Sequence, residues 1–258
     1  MLRCFFIFSK KRTESAFAKK HCMEKAIKKY PILSCVIIFT ICGFSRLIEY
    51  FFIKTDETII SENFFHKIFG IIIWAIIFHL LHSNWQNIGF TKDGIVSDIA
   101  KGLILGSCCF SVAYSLECLI LYCIHHNVSL AFYISGFSLN GETATHSSIL
   151  FLLICLMFNM INVWMEEGMF RGLFTNILAK KHSFLQSALL IAFLFGIWHW
   201  VMPLRGYIDG RTTFENLLVL GVGYTLLAGI MSIKWSLLYK MTDSLWVGLG
   251  DHLFNNVN

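Results

Sequence analysis

The sequence predicts an all-α protein, a polytopic transmembrane helical bundle of about six to eight helices. Two observations predict this class. First, 56% of the 258 residues are hydrophobic and only 14% are charged, whereas an average soluble domain is about 25% charged. Second, the hydrophobic residues are gathered into runs close to the roughly 20 residues that cross a bilayer as a helix. The chain therefore lacks the charge needed to cover a water-facing surface.

Hydrophobic runs separated by polar and turn residues mark the candidate spans. Six runs are long, and a shorter seventh extends from about residue 244 to the C-terminus. The six cover residues 32–53, 64–82, 99–124, 148–166, 184–202 and 216–239. The sequence contains no internal repeat and no low-complexity stretch. We therefore predict one transmembrane helical domain over residues 31–258.

Residues 1–30 form a basic segment that precedes the first span. They contain nine of the 21 lysines and arginines, and apolar residues recur among them at helical spacing. The apolar positions are Ala16, Phe17, Met23, Ile27 and Tyr30. This pattern favours an amphipathic helix on an anionic leaflet, and the positive-inside rule then makes the N-terminus cytoplasmic. The loop 125–147, which has no lysine or arginine, is expected outside, and we expect an integral protein of the plasma membrane.

Several other classes of protein are excluded by the same sequence. The net charge of +5 follows the predicted membrane topology, so we predict no nucleic-acid partner. The nine cysteines are odd in number and form no Cys-x-x-Cys pair, which argues against a disulfide framework or a zinc ribbon. No nucleotide or redox cofactor motif is present. The predicted partners are the lipid bilayer and a membrane-associated peptide or protein, while the oligomeric state is left open.

Two sites within the spans carry charged residues that we interpret structurally. Arg46 and Glu49 are three residues apart on one predicted helix face, so we expect them to neutralise each other. Glu117 has no local partner in the sequence. We expect it to form a hydrogen bond between helices rather than to take part in catalysis.

The most informative motif is Glu166-Glu167-x-x-x-Arg171, at the end of the fourth run. Glu167 and Arg171 are four residues apart in the favourable acid-before-base order, so we predict an ion pair between them. Glu166 is displaced by about 100° around the helix and keeps its carboxylate free. A poorly solvated, unpaired carboxylate is a candidate general base. The alternative interpretation is that both acids lie at the membrane–water interface.

Two further motifs provide polar groups on other helices. Phe195-x-x-x-His199 places an imidazole late in an apolar span, and His252-x-x-x-Asn256 directs two hydrogen-bonding side chains the same way from the last helix. Idle polar groups are disfavoured in a membrane. Together the motifs predict a site that activates water with Glu166 and His199 and stabilises an oxyanion with His252 and Asn256.

These three motifs, in this order and each on its own hydrophobic segment, resemble the CPBP family. These are the CAAX-protease and bacteriocin-processing membrane proteins, also called the Abi family and described as intramembrane glutamate-type proteases. The resemblance covers residues 148–258. It implies that Glu166 and His199 activate water, that His252 and Asn256 form the oxyanion hole, and that Glu167 and Arg171 support the helix. The implied activity is an intramembrane endopeptidase that needs no cofactor.

Other functions use similar residues. Glu166, His199 and His252 could instead be three zinc ligands, which would make the protein a zinc-dependent membrane hydrolase. The same side chains could serve an acyl transferase, and some proteins that resemble the family are immunity or scaffold proteins without proteolysis. Gly248-x-Gly-Asp251 matches the Gly-x-Gly-Asp motif of intramembrane aspartyl proteases. The nearest candidate for the second aspartate that such an enzyme needs is Asp209, which lies in a predicted loop. We interpret that match as coincidence.

Overall fold

A computed structural model describes residues 24–57, 63–81, 84–126, 128 and 149–256, and it is helical in these ranges without a β-strand. The predicted all-α class is confirmed. Most of the basic N-terminal segment lies outside the described residues, including Ala16, Phe17 and Met23, and so does most of the loop 125–147.

The described helices follow the predicted order of hydrophobic runs, with two π-helical segments added. One π-helical segment, Glu49–Ile53, continues the helix that begins at Pro31, and another, Glu167–Phe174, continues the helix that begins at Ile149. Short 3₁₀ turns lie at Thr55–Glu57 and Trp85–Ile88. The α-helices are α1 Pro31–Ile48, α2 Phe65–Leu80, α3 Ile95–Cys123, α4 Ile149–Glu166, α5 Thr175–Leu178, α6 Phe184–Trp198, α7 Val201–Ile208, α8 Phe214–Thr242 and α9 Leu245–Asn255.

Five stretches of helix in the described part are long and apolar enough to cross a membrane. They are Pro31–Glu57, Ile95–Cys123, Leu152–Leu178, Phe184–Ile208 and Phe214–Thr242. The predicted run 64–82 forms α2, a shorter apolar helix of 16 residues. These helices support the prediction of a polytopic integral membrane protein.

The fourth predicted run ends too early in the sequence-based assignment. We predicted a span over 148–166, but the helix continues through the π segment and α5 to Leu178. The π segment contains Glu167, Arg171 and two glycines, so it is not apolar throughout. Such a composition is typical of the end of a membrane-spanning helix. Every residue from Glu167 to Phe174 is buried inside the bundle. None of them therefore has to be apolar in order to face lipid.

The second wrong boundary is the loop predicted from Pro203 to Gly210. Residues 201–208 form helix α7 instead, with Pro203 in its first turn, where proline is tolerated. Arg205 is fully buried and bonds to the carboxylates of Asp56, Glu57 and Asp209. Because its charge is neutralised within the protein, Arg205 gives no information on which side of the membrane it lies.

The interhelical hydrogen bond predicted for Glu117 is not present among the described residues. Glu117 is exposed on α3 and forms no hydrogen bond or ion pair with a described residue. Most of α3 is exposed, and its buried residues are Gly102 and Gly106 in the N-terminal half. No described helix therefore covers the face that carries Glu117.

Glycines bring α9 close to α3 and so fix the position of the last helix. A Cβ atom on Gly102 would clash with the backbone of Val247 and Asp251, and a Cβ atom on Gly250 would clash with the backbone of Ile99. Backbone atoms at such an interface cannot move aside as a flexible side chain would. The helix that carries His252 is thereby held against α3.

Replacing Gly102 by alanine is expected to destabilise the protein by about 1–3 kcal/mol, because overpacking forces the two helices apart. The matched control is Gly223→Ala in α8, where a Cβ atom would meet nothing within 4 Å. Alanine there should be neutral or stabilising by up to about 1 kcal/mol, since glycine weakens a helix interior. Thermal unfolding in detergent measures both, and equal melting temperatures would contradict a close α3–α9 contact.

Candidate active site

The two adjacent glutamates lie in the middle of a span and inside the bundle. Glu166 ends α4 and Glu167 begins the π segment, and both belong to the 27-residue span Leu152–Leu178. Their exposed fractions are 2% and 0%. The alternative interpretation, with both acids at a helix end facing the membrane–water interface, is not what the structure contains.

The π-helical turn was not predicted from the sequence, although its glycines are a signal. A Cβ atom on Gly168 would lie 2.7 Å from the Trp74 ring, and one on Gly172 would lie 3.3 Å from the Leu245 side chain. The missing side chains let α2 and α9 approach the turn that carries the glutamates. Turns with i→i+5 hydrogen bonds are rare and occur often at functional sites.

Glu167 contacts partners on its own helix and on α9. Its Oε1 atom lies 3.5 Å from Nη1 of Arg171 and 2.8 Å from Nδ1 of His252. The predicted ion pair between Glu167 and Arg171 is present, and both side chains are fully buried. Glu167 therefore links the π segment to the last helix.

Arg171 is held by aromatic rings as well as by Glu167. Its guanidinium carbon lies 4.3 Å from the Phe195 ring centroid and 4.8 Å from that of Trp235. None of its three guanidinium nitrogens has a geometrically satisfactory hydrogen bond among the described residues. Cation–π contacts are strong where water is excluded, so these rings help to retain the charge at this depth.

His252 lies between the two glutamates. Its Nδ1 atom is bonded to Glu167, and its Nε2 atom lies 3.5 Å from Oε2 of Glu166. Its ring stacks on Trp235 at a centroid distance of 3.7 Å and an interplanar angle of 17°. Because an ionised carboxylate only accepts hydrogen bonds, we assign the Nδ1 proton as donated to Glu167. This leaves Nε2 directed towards the Glu166 side.

Trp198 is a site residue that our reading of the motifs missed. Its indole Nε1–H donates a 2.9 Å hydrogen bond to Oε1 of Glu166. Trp198 immediately precedes His199 and is 3% exposed. The available signal was its position beside the motif histidine, but a tryptophan in an apolar span is normally a packing residue.

His199 lies beside the carboxylates rather than between them. Its Nδ1 atom is 2.8 Å from the carbonyl oxygen of Phe195, one turn earlier in α6. That carbonyl accepts the Nδ1 proton, so Nε2 is the nitrogen left for other chemistry. The Phe195 ring lies 4.7 Å from the His199 ring and 6.1 Å from the His252 ring. Phe195 thus contacts both imidazole rings.

Asn256 is bonded to α4, about two helical turns before Glu166. Its carboxamide donates to Oδ1 of Asn159 at 3.0 Å, and Asn159 donates to the carbonyl of Leu253 at 3.1 Å. Asn159 precedes Glu166 by seven residues, or about 10 Å along the helix axis. The described contacts therefore gather Glu166, Glu167, Arg171 and His252, while Asn256 lies further along the same interface.

The two aspartates of the aspartyl-protease alternative are occupied in separate ion pairs. Oδ2 of Asp251 accepts hydrogen bonds from Lys234 and from the indole of Trp235, both at 2.7 Å. Asp209 pairs with Arg205 and Arg211 at 3.1 and 2.6 Å. These partners give both aspartates a structural explanation, in agreement with the interpretation of the Gly-x-Gly-Asp match as coincidence.

No group of three or more His, Cys, Asp or Glu side chains is arranged to hold a metal ion within the described ranges. Nδ1 of His252 is hydrogen-bonded to Glu167, and Nδ1 of His199 is hydrogen-bonded to a backbone carbonyl. That the protein needs no cofactor stays a prediction, which metal analysis of active protein would test.

The predicted neutralisation of Arg46 by Glu49 is wrong. The helix changes to π geometry at Glu49, and the carboxylate accepts four hydrogen bonds from other residues. The donors are the Thr55 hydroxyl, the backbone N–H groups of Phe65 and His66, and Nδ1 of His66. Glu49 thereby fixes the start of α2 against the end of α1, and Arg46 is left without its expected partner.

Comparison with known proteins identifies the part of the chain that carries this site. A family model described as type II CAAX prenyl endopeptidase Rce1-like matches residues 148–258. This segment is therefore similar to that family. The match confirms the resemblance to the CAAX-protease family over the segment where the motifs occur, and that family points to a protease. No curated protein and no solved structure matches the chain.

Replacing Glu167 by glutamine is expected to destabilise the protein by about 3–5 kcal/mol, because Arg171 would keep a buried charge without its counter-ion. The matched control is Glu215→Gln, an exposed carboxylate in the first turn of α8. A surface change of this kind costs about 0.5 kcal/mol or less. Unfolding in detergent compares the two, and equal stabilities would show that the buried ion pair is dispensable.

Proposed function

We propose that this protein is an intramembrane endopeptidase that hydrolyses a peptide bond of a membrane-associated peptide or protein. The observation that carries the proposal is the buried contact set on three helices, in which Glu166 faces both the Trp198 indole and the His252 imidazole. A carboxylate in the middle of a membrane bundle is energetically costly, so such a residue is a functional-site candidate by default. The Rce1-like match over the same segment supports a peptidase.

In the proposed mechanism, Glu166 is the general base, assisted by His199. Glu166 takes a proton from water, and the resulting hydroxide attacks the scissile carbonyl carbon. The tetrahedral intermediate then collapses as the C–N bond breaks, and the proton is returned to the leaving amine. In this assignment Oε2 of Glu166 is the base, because Oε1 already accepts a hydrogen bond from the Trp198 indole.

His252 and Asn256 are proposed to stabilise the developing oxyanion. Glu167 supports this role for His252 because its carboxylate accepts the Nδ1 proton and fixes the orientation of the ring. The role requires the doubly protonated imidazolium, because only then does Nε2 also carry a proton to donate to the oxyanion. For Asn256 the role requires that substrate binding replace the hydrogen bond to Asn159. Glu167 and Arg171 are proposed as supporting residues that hold the π turn.

We also propose that the protein lies in the plasma membrane with residues 1–30 on the cytoplasmic side. Two contacts tie the end of that segment to the helical domain. Ile27 is 8% exposed and packs in the hydrophobic core, and Nζ of Lys181 donates to the carbonyl of Lys29 at 2.8 Å. Lys180 and Lys181 lie on the same side as the basic segment, as the positive-inside rule expects.

The decisive experiment compares Glu166→Gln with the wild type in proteoliposomes. We expect the cleavage rate to fall by at least about 10²–10⁴-fold, which is the usual contribution of a general base. His199→Ala should also lose most activity. Comparative peptidomics of membranes from cells that carry either form identifies the peptides whose cleavage is lost.

The matched control is Glu117→Gln, which removes a membrane-helix carboxylate that has no contact with the site. It should cleave at the wild-type rate. Folded Glu166→Gln protein with native activity would overturn the assignment. A cellular phenotype that survives Glu166→Gln would instead favour a non-proteolytic immunity or scaffold role, and inhibition by chelators would favour the zinc-dependent alternative.

A further inference from the structure

A small cavity lies where the end of the basic N-terminal segment meets the C-terminal ends of α2 and α5. Its volume is about 70 Å³. The described residues that line it are Ile27, Lys28, Leu81, Asn176, Ile177 and Lys180. Three of these side chains are apolar, and the other three end in N–H donors. The cavity therefore combines an apolar wall with donors that could receive an anionic group.

The donors of this cavity are largely unused within the described part of the chain. Lys180 and the carboxamide of Asn176 form no hydrogen bond with a described residue. Lys28 pairs with Glu24 at 2.6 Å, but its side chain is 53% exposed and an ammonium has three protons to donate. No acid is among the described residues that line the cavity. Two ammonium groups thus border one small space that has no carboxylate of its own.

The charge around the cavity is strongly positive. Residues 24–29 and 179–182 carry five lysines and one glutamate, which is an excess of four positive charges. The two stretches are held together by the hydrogen bond from Nζ of Lys181 to the carbonyl of Lys29, at 2.8 Å. Like charges held close to one another repel, and an anion between them offsets the repulsion. Lysine is a common ligand of phosphate groups.

The position of the cavity along the spans matches the headgroup layer of a bilayer. Lys28 lies three residues before the span that begins at Pro31, and Lys180 lies two residues after the span that ends at Leu178. At 1.5 Å per helical residue, both lie about 3–5 Å beyond the ends of the spans. The headgroup region extends about 5–8 Å beyond the hydrocarbon core on each side. A lipid phosphate is therefore the anion found at this depth.

We propose that this cavity binds the phosphate group of an anionic phospholipid. Lys28 and Lys180 are the ionic partners of the phosphate, and the Asn176 carboxamide donates a further hydrogen bond. Ile27 and Ile177 contact the apolar part of the lipid next to its headgroup. The lipid then bridges the basic segment and α5, which continues the span that carries Glu166. This site goes beyond the proposed peptidase function and does not require it.

The test measures lipid binding to the full-length protein in detergent by native mass spectrometry. Phosphatidylglycerol is the anionic probe, and phosphatidylcholine with the same acyl chains is the neutral one. Inorganic phosphate is added in a separate series to distinguish a lipid site from a site for free phosphate. The variants are Lys180→Gln, Lys28→Gln and Lys180→Arg. The matched control is Lys92→Gln, which removes an exposed lysine from the α2–α3 loop on the same side of the membrane.

We expect phosphatidylglycerol to bind about 10- to 30-fold more tightly than phosphatidylcholine, which is the contribution of two lysines near an anionic headgroup. Lys180→Gln and Lys28→Gln should each lower the affinity for phosphatidylglycerol about 5-fold and leave the affinity for phosphatidylcholine unchanged. Lys180→Arg and Lys92→Gln should bind both lipids as the wild type does. The melting temperatures without added lipid should agree among all forms, since the replaced lysines are exposed.

Three results would overturn the proposal. Equal affinities for the two lipids would show that the cavity does not select an anion. An equal loss of affinity in Lys92→Gln and Lys180→Gln would show a diffuse attraction to the whole basic surface. Displacement of phosphatidylglycerol by an equal concentration of inorganic phosphate would assign the cavity to a soluble anion. The assay requires no cleavage, so its outcome is separate from that of the Glu166→Gln experiment.

Discussion

The buried charge of Glu167 is the constraint on which the rest of the site depends. This carboxylate sits in the middle of a span and bonds to Arg171 on its own helix and to His252 on α9. Arg171 is in turn enclosed by Phe195 and Trp235 from α6 and α8. Since lipid cannot solvate an unpaired charge, each of these contacts lowers the cost of burying the charges. One ionised group thus joins four helices around the Glu166 carboxylate.

The helices and the motif-bearing half could be predicted because their signals are local. A run of about 20 apolar residues can only be a helix in a bilayer, and the Glu167–Arg171 pair follows from spacing along one helix. The predicted helix ends were wrong where burial inside the bundle, rather than amino-acid composition, determines whether a helix continues. Residues 167–178 and 201–208 look polar enough to end a span, yet Arg205 finds three carboxylates and the π segment is covered on every side.

The contacts between distant segments could not be read from the sequence. Arg46 and Glu49 have the spacing of an ion pair, but a change to π geometry and the arrival of His66 from α2 gave Glu49 better donors. Trp198 and Asn159 are ordinary residues in apolar helices until the fold brings them to Glu166 and Asn256. Such partners become visible only when the helices are in place, because tertiary packing decides which polar group meets which.

The π-helical turn at Glu167–Phe174 makes the length of this segment as important as its composition. A π turn holds one residue more than the α-helical turn it replaces. Deleting a single residue there would return the turn to regular α-helix, and the helices on either side would keep roughly their relative orientation, because the extra residue is absorbed within the turn. A deletion between Glu167 and Arg171 would nevertheless leave these two side chains three rather than four residues apart, so the buried ion pair would have to form at a different spacing. The spacing within the turn, rather than any one side chain, is what a truncated or re-engineered version of this segment would have to preserve.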